Sequence, residues 1–178
     1  MLSIPVLLGT ARDGASSDVA AAYIHKLLML RGVQSDLVDP ADYHEKKTFE
    51  KEHVKPWADI MQRADGLIIV SPEYNHGYPG PLKEMLDTLF EEFARKPVAI
   101  CGVSSGGLGG VRVVEQLKLV VNELRMCAIR EAVFFSNVRE LFNEDGSIKD
   151  PSYDDRCAKM FDELFWYANA LKVAREKT

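Results

Sequence analysis

Short apolar runs alternate with helical stripes along almost the whole chain, and this alternation limits the possible folds more than any other feature. Residues 4–9, 33–38, 66–70, 97–103 and 128–135 read as strands, the second being the weakest; the first, third and fourth are continuous apolar runs. Runs without polar interruption suit strands buried on both faces. Helices are expected over residues 18–30, from Pro56 with Trp57, Ile60, Met61 and Ala64 on its apolar side, and over 82–93, 110–126 and 152–176. The clearest stripe is Leu82, Met85, Leu86, Leu89, Phe90 and Phe93, which recurs at helical spacing. Residues 39–52 are polar and read as a loop, and 143–147 as a turn. Strands alternating with helices call for a parallel sheet covered on both faces, and right-handed crossovers leave few topologies. We expect a doubly wound α/β three-layer sandwich whose five parallel strands run in the order 2-1-3-4-5.

The chain has 178 residues, 47% of them hydrophobic, enough for one domain over residues 1–178 with a single good core. Its net charge of −5 and the lack of a basic stripe argue against nucleic acid or an anionic membrane as partner. No run reaches the roughly 18 apolar residues of a membrane span. Residues 1–8 lack the basic and small-residue pattern of a signal peptide, so a cytoplasmic location is expected. Cys101, Cys127 and Cys157 are an odd, widely spaced set and are expected as buried, reduced thiols. His25, His44, His53 and His76 show no metal-ligand spacing, and no metal is expected.

In the expected topology the switch point lies between the first and third strands, and ligands of open α/β sheets sit over that point at the carboxyl ends. Here those ends are Gly9 onward and Ser71 onward. Residues 71–80, Ser-Pro-Glu-Tyr-Asn-His-Gly-Tyr-Pro-Gly, form a long aromatic corner. Pro72 and Pro79 stiffen its ends, while Gly77 and Gly80 allow close backbone approach. Two tyrosines, an amide and a glutamate suit a flat heterocycle with polar edges. Glu73 reads as structural or as lining the heterocycle edge rather than as a general base. Tyr74 and Tyr78 suit either substrate stacking or loop packing, and His76 reads as a rim residue.

The first loop, residues 9–17, is Gly-Thr-Ala-Arg-Asp-Gly-Ala-Ser-Ser. It leads into a helix amino terminus, where unsatisfied N–H groups favour an anion. Thr10, Ser16 and Ser17 add hydroxyls, and Arg12 adds a fork suited to phosphate. Neither a P-loop nor a dinucleotide fingerprint is present. A mononucleotide phosphate suits this loop; an ordinary cap by Ser16 or Ser17, with Arg12 solvated, suits it too.

Gly9-Thr10-x-Arg12 with Ser17, followed by Pro72-Glu73-Tyr74-Asn75-His76-Gly77-Tyr78-Pro79-Gly80-x-Leu82-Lys83, resembles the NADPH-dependent FMN reductase family. The likeness extends to Val103-Ser104-Ser105-Gly106-Gly107, Gly109-Gly110 and Phe142-x-x-Asp145-Gly146. That resemblance implies a flavodoxin-like fold binding FMN, with NADPH or NADH as co-substrate. It implies that Thr10, Arg12 and Ser17 hold the phosphate. Pro72, Glu73, Tyr74 and Asn75 would wrap the isoalloxazine, and Ser104, Ser105 and Gly106 would approach its other edge. Ala15 stands where some members have another serine, for which Ser16 is a candidate substitute. The implied reaction reduces a quinone, azo compound, flavin or metal oxyanion, with no catalytic side chain required because flavin carries the hydride chemistry. Non-enzymatic electron carriage and FMN sensing are the alternatives. The family likeness also implies a homodimer or homotetramer, here through the third and fourth helices, where Val111, Leu119 and Met126 lie off the core face.

Overall fold

A computed structural model describes residues 1–43 and 51–177. Six strand segments form one all-parallel sheet: β1 (Val6–Leu8), β2 (Leu37–Val38), β3 (Leu67–Pro72), β4 (Pro97–Val103), β5 (Cys127–Ala128) and β6 (Val133–Phe135). Their order is β2-β1-β3-β4-β5, with β6 also paired to β4, so the expected order holds. Successive side chains on a strand point to opposite faces, and the two cores follow that period. Val6, Ile68, Val70, Ala99 and Cys101 pack with Ile24 and Leu28 of α1 (Ser16–Leu30) and Phe161 and Leu164 of α6 (Ser152–Arg175). Leu7, Ile69, Val98 and Ile100 pack on the other face. Their partners come from α2 (Lys51–Arg63), α3 (Gly80–Asp87) and α4 (Val111–Glu123).

Several expected elements change shape. The fifth strand is two segments: between Val98↔Ala128 and Cys101↔Val133, β4 advances three residues and the edge chain five. Two extra residues therefore bulge out, and the Glu131 backbone N–H donates to the Glu163 carboxylate of α6 instead of to the sheet. Such a bulge bends an edge away from strand pairing with other chains. The helix over 82–93 ends at Asp87 because the Thr88 hydroxyl and N–H both donate to the Met85 carbonyl, the group Leu89 would use in a continuing helix. A 3-10 turn at Glu91–Phe93 then seats Phe93 against Trp57, ring centroids 6.0 Å apart, and Phe90 swings outward. The helix expected from Pro56 begins at Lys51, with Pro56 inside it.

Of the loop at 39–52, Pro40–Asp42 forms a 3-10 turn capped by Asp39, Lys51 and Glu52 belong to α2, and residues 44–50, His44 among them, lie outside the described residues. The second strand is shorter than expected, its start reduced to a single bridge between Ser3 and Gln34. Cys101 and Cys157 are buried free thiols, whereas Cys127, at the sheet edge, is only half-buried. Met126 is also buried, so of the three residues expected off the core face only Val111 and Leu119 are exposed. The turn at 143–147 closes with Asn143 N–H on the Ser147 carbonyl and Gly146 at φ 78°. No helix among the described residues is long and apolar enough to cross a membrane.

Candidate functional site

β1 and β3 end side by side, and Gly9 makes their common edge possible. A Cβ at Gly9 would stand 2.4 Å from the Ser71 Cα, where nothing can yield. The Gly9 N–H donates to the Val70 carbonyl, and the chain then crosses the top of the sheet. Thr10 is buried; its hydroxyl accepts the Arg12 backbone N–H at 3.2 Å and lies 3.5 Å from the Tyr74 hydroxyl. The first loop and the corner are therefore in contact.

Ala15 occupies the N-cap of α1 and no side chain caps it, so neither Ser16 nor Ser17 plays the ordinary capping role. The first turn keeps its outward N–H groups for another acceptor. Ser17 is 2% exposed and its hydroxyl has no hydrogen-bond partner among the described residues. An unmet buried hydroxyl costs about 1–3 kcal/mol. Its neighbour Asp18 feels that hydroxyl without forming a well-directed bond to it. Burial, helped by the like charges of Asp39 and Asp13, pushes the Asp18 carboxyl above its usual range. Arg12 is exposed, and its guanidinium has no ion-pair partner among the described residues.

The corner is a hairpin built on two strained residues. Tyr74 and Gly77 exchange backbone hydrogen bonds of 2.9 Å each, and Asn75 and His76 between them have φ of 49° and 68°. Left-handed backbone at non-glycine residues is retained only where the surroundings impose it. Here Gln116 of α4 donates to the His76 carbonyl at 2.8 Å, and Glu73 N–H extends the β3–β4 pairing to the Val103 carbonyl. The Glu73 side chain is 6% exposed. It accepts from Arg112 Nε at 2.6 Å, Arg112 Nη2 at 2.5 Å, and the backbone N–H groups of Arg112 and Val113 at 3.1 and 3.4 Å. Desolvation alone would raise its pKa, but the Arg112 hydrogen bonds and charge outweigh it and hold the carboxyl below its ordinary value. Glu73 is thus an ionised tie between the corner and the α4 amino terminus, and it is not free to act as a base.

The third loop leaves β4 under similar crowding. A Cβ at Gly102 would meet the Gly109 and Gly110 carbonyl oxygens at 2.5 Å, so residues 104–110 fold back over the strand. The Ser104 hydroxyl donates to the Gly106 carbonyl at 2.8 Å, and Ser104 N–H joins the Phe135 carbonyl. Arg12, Ser16, Ser17, Pro72, Glu73, Tyr74, Ser104 and Ser105 line one cleft over the carboxyl edge. Thr10 lies beneath it, Asn75 at the exposed hairpin tip and Gly106 in the third loop; none of the three lines the cleft. Val138 and Arg139 also line it. Sequence reasoning misses both, although their position just after the last strand, on the same edge as the other loops, is a usable signal. The described residues contain no group of His, Cys, Asp and Glu suited to a metal ion.

Residues 2–140 match the family described as NADPH-dependent FMN reductase. The chain belongs to that family. Curated relatives include an NAD(P)H-dependent FMN reductase of Schizosaccharomyces pombe, 45% identical over 78 residues. That match covers 44% of this chain but only 38% of the yeast protein's length. An NADPH azoreductase of a Bacillus species is 29% identical over 180 residues, 99% of this chain and 98% of its own length. Among solved structures, the flavoenzyme NAD(P)H:(acceptor) oxidoreductase FerB from Paracoccus denitrificans superposes with a TM-score of 0.80. It is 20% identical, over 95% of this chain and 98% of that one, a likeness that shows the fold.

The fold of this FMN reductase family member is flavodoxin-like, and the family's description implies FMN as its cofactor. The cleft suits that group on its own chemistry. A helix terminus without a side-chain cap, a guanidinium without an ion pair and a buried hydroxyl without a partner, all among the described residues, together ask for an anion with several acceptor oxygens.

Proposed function

We propose that the protein is an FMN-dependent NAD(P)H oxidoreductase that passes reducing equivalents from NADPH or NADH to a quinone, azo compound, free flavin or metal oxyanion. The partnerless Ser17 hydroxyl beneath the uncapped α1 terminus is the observation that carries this reading. Bound FMN supplies the hydride chemistry. In our reading Thr10, Arg12, Ser16 and Ser17 take the phosphate, Thr10 by shaping the loop from below. Pro72, Glu73, Tyr74 and Asn75 flank the isoalloxazine, Glu73 by holding the hairpin rather than by direct contact. Ser104, Ser105 and Gly106 border its other edge. The chain then acts as one FMN-binding domain with no acid–base side chain, consistent with Glu73 being committed to Arg112.

We further propose a cytoplasmic homodimer or homotetramer joined through α3 and α4. Support comes from Leu119, 76% exposed, which lines a groove together with Lys83, Asp87, Val120, Glu123 and Leu124. The absorption spectrum of the purified protein, before and after anaerobic NADPH, tests the enzymatic reading. A flavin spectrum that bleaches with NADPH and returns with menadione or an azo dye is expected. Bound flavin that neither bleaches nor turns over would favour an electron carrier or sensor instead. Light scattering that finds a monomer at micromolar concentration would remove the oligomer.

A further inference from the structure

Arg139 sits on α5 (Val138–Leu141), the four-residue helix that follows the last strand. Its placement is built, not incidental. Asn137 adopts left-handed backbone at φ 48°, its N–H bonds the Gly106 carbonyl, and the Val138 N–H bonds the Ser104 carbonyl. Val138 is buried, which fixes the rotation of the short helix. Arg139 consequently lines the same cleft as Arg12 and Ser17, whereas its neighbour Glu140 lines a different cavity with Lys149 and Asp150. Arg139 is exposed and has no ion-pair partner among the described residues. The cleft's own carboxylate, Glu73, is held by Arg112. Two guanidiniums thus border one cleft whose lining holds no carboxylate besides Glu73, beside a helix terminus and the buried Ser17 hydroxyl, which has no hydrogen-bond partner among the described residues.

We propose that Arg139 is a second phosphate-binding guanidinium, acting with Arg12 to make the cleft prefer a dianionic phosphomonoester tail. The inference rests on the FMN reading above and adds a ligand that the family motifs do not point to. A phosphomonoester carries close to two charges at neutral pH, with its second pKa near 6. Two cations and a helix terminus balance that charge where one cation would not. Arginine suits the task because its fork meets two phosphate oxygens at once.

The test titrates flavin-free protein with FMN and with riboflavin, followed by flavin fluorescence, at pH 5.5 and 7.5. Wild type should bind FMN more tightly at the higher pH, and riboflavin equally at both. Arg139→Ala should weaken FMN at pH 7.5 by about 10- to 30-fold, the scale of one partly solvated charge-assisted contact. It should leave riboflavin within twofold and flatten the pH dependence. Arg139→Gln should behave like Arg139→Ala, while Arg139→Lys should keep much of the pH dependence. FMN affinity unchanged within twofold in Arg139→Ala, or equal losses for FMN and riboflavin, would overturn the assignment of Arg139 alone. Failure of wild type to bind FMN would overturn the FMN reading itself.

Discussion

Replacing Arg112 with alanine tests whether the corner is held by its glutamate. The substitution removes the hydrogen bonds from Nε and Nη2 to Glu73, at 2.6 and 2.5 Å, and leaves the two backbone N–H donors of α4. Stripping one partner from a fully buried ion pair costs about 3–5 kcal/mol. Arg112 is 44% exposed, so water recovers part of that, and the α4 terminus still faces the carboxylate. A loss of about 1–2 kcal/mol remains, which for a chain of this size lowers Tm by roughly 2–8 °C. The pH dependence gives a sharper signature. The Glu73 pKa is depressed in the folded state, so the pair's stabilisation is present above the ordinary carboxyl value of 4.5 and is lost as pH falls through the folded value. Urea denaturation between pH 7 and pH 3.5 should therefore show the gap between wild type and Arg112→Ala narrowing below about pH 4.5. Equal stability at pH 7, or a gap indifferent to pH, would show that the pair does not hold the corner.

Three further outcomes follow from named residues. Gly9→Ala should destabilise the protein by about 2–3 kcal/mol in denaturant melts and weaken FMN binding, because its Cβ would collide with the Ser71 backbone. Arg12→Ala should weaken FMN about 10-fold and riboflavin hardly at all in flavin titrations, because the proposed role of the Arg12 guanidinium is to hold the phosphate, which riboflavin lacks. Lys96 is buried with its ammonium on the Met61 carbonyl, and burial, aided by the Arg175 charge, pushes its pKa down to about 8. The folded chain then gives up this proton near pH 8 while the unfolded chain keeps it to about 10.5. Wild type should accordingly gain stability relative to Lys96→Met as pH rises across that window, measured by urea denaturation.

The sheet order, the two loops over its carboxyl edge and most helices are legible in the sequence because they depend on neighbours a few residues apart. Leu82, Met85 and Leu86 form a stripe wherever the helix goes, and an uninterrupted apolar run such as 66–70 must bury both faces. Gly9 follows β1 directly and Ser71 is the penultimate residue of β3, so the topology alone brings the loops beyond them together. What the tertiary structure decided depends on approach across distance. Nothing local shows that Glu73 meets a guanidinium 39 residues away, which turns a candidate base into an ionised tie. Nor does local spacing show that Thr88 takes the carbonyl on which the third helix would continue, or that the fifth strand bulges to let Glu163 reach Glu131 N–H. Arg139 looks like an ordinary surface cation until α5 is pinned to the third loop and faces the first. Periodicity encodes which face a residue buries, but the charge that completes a site belongs to whichever segment the fold brings opposite it.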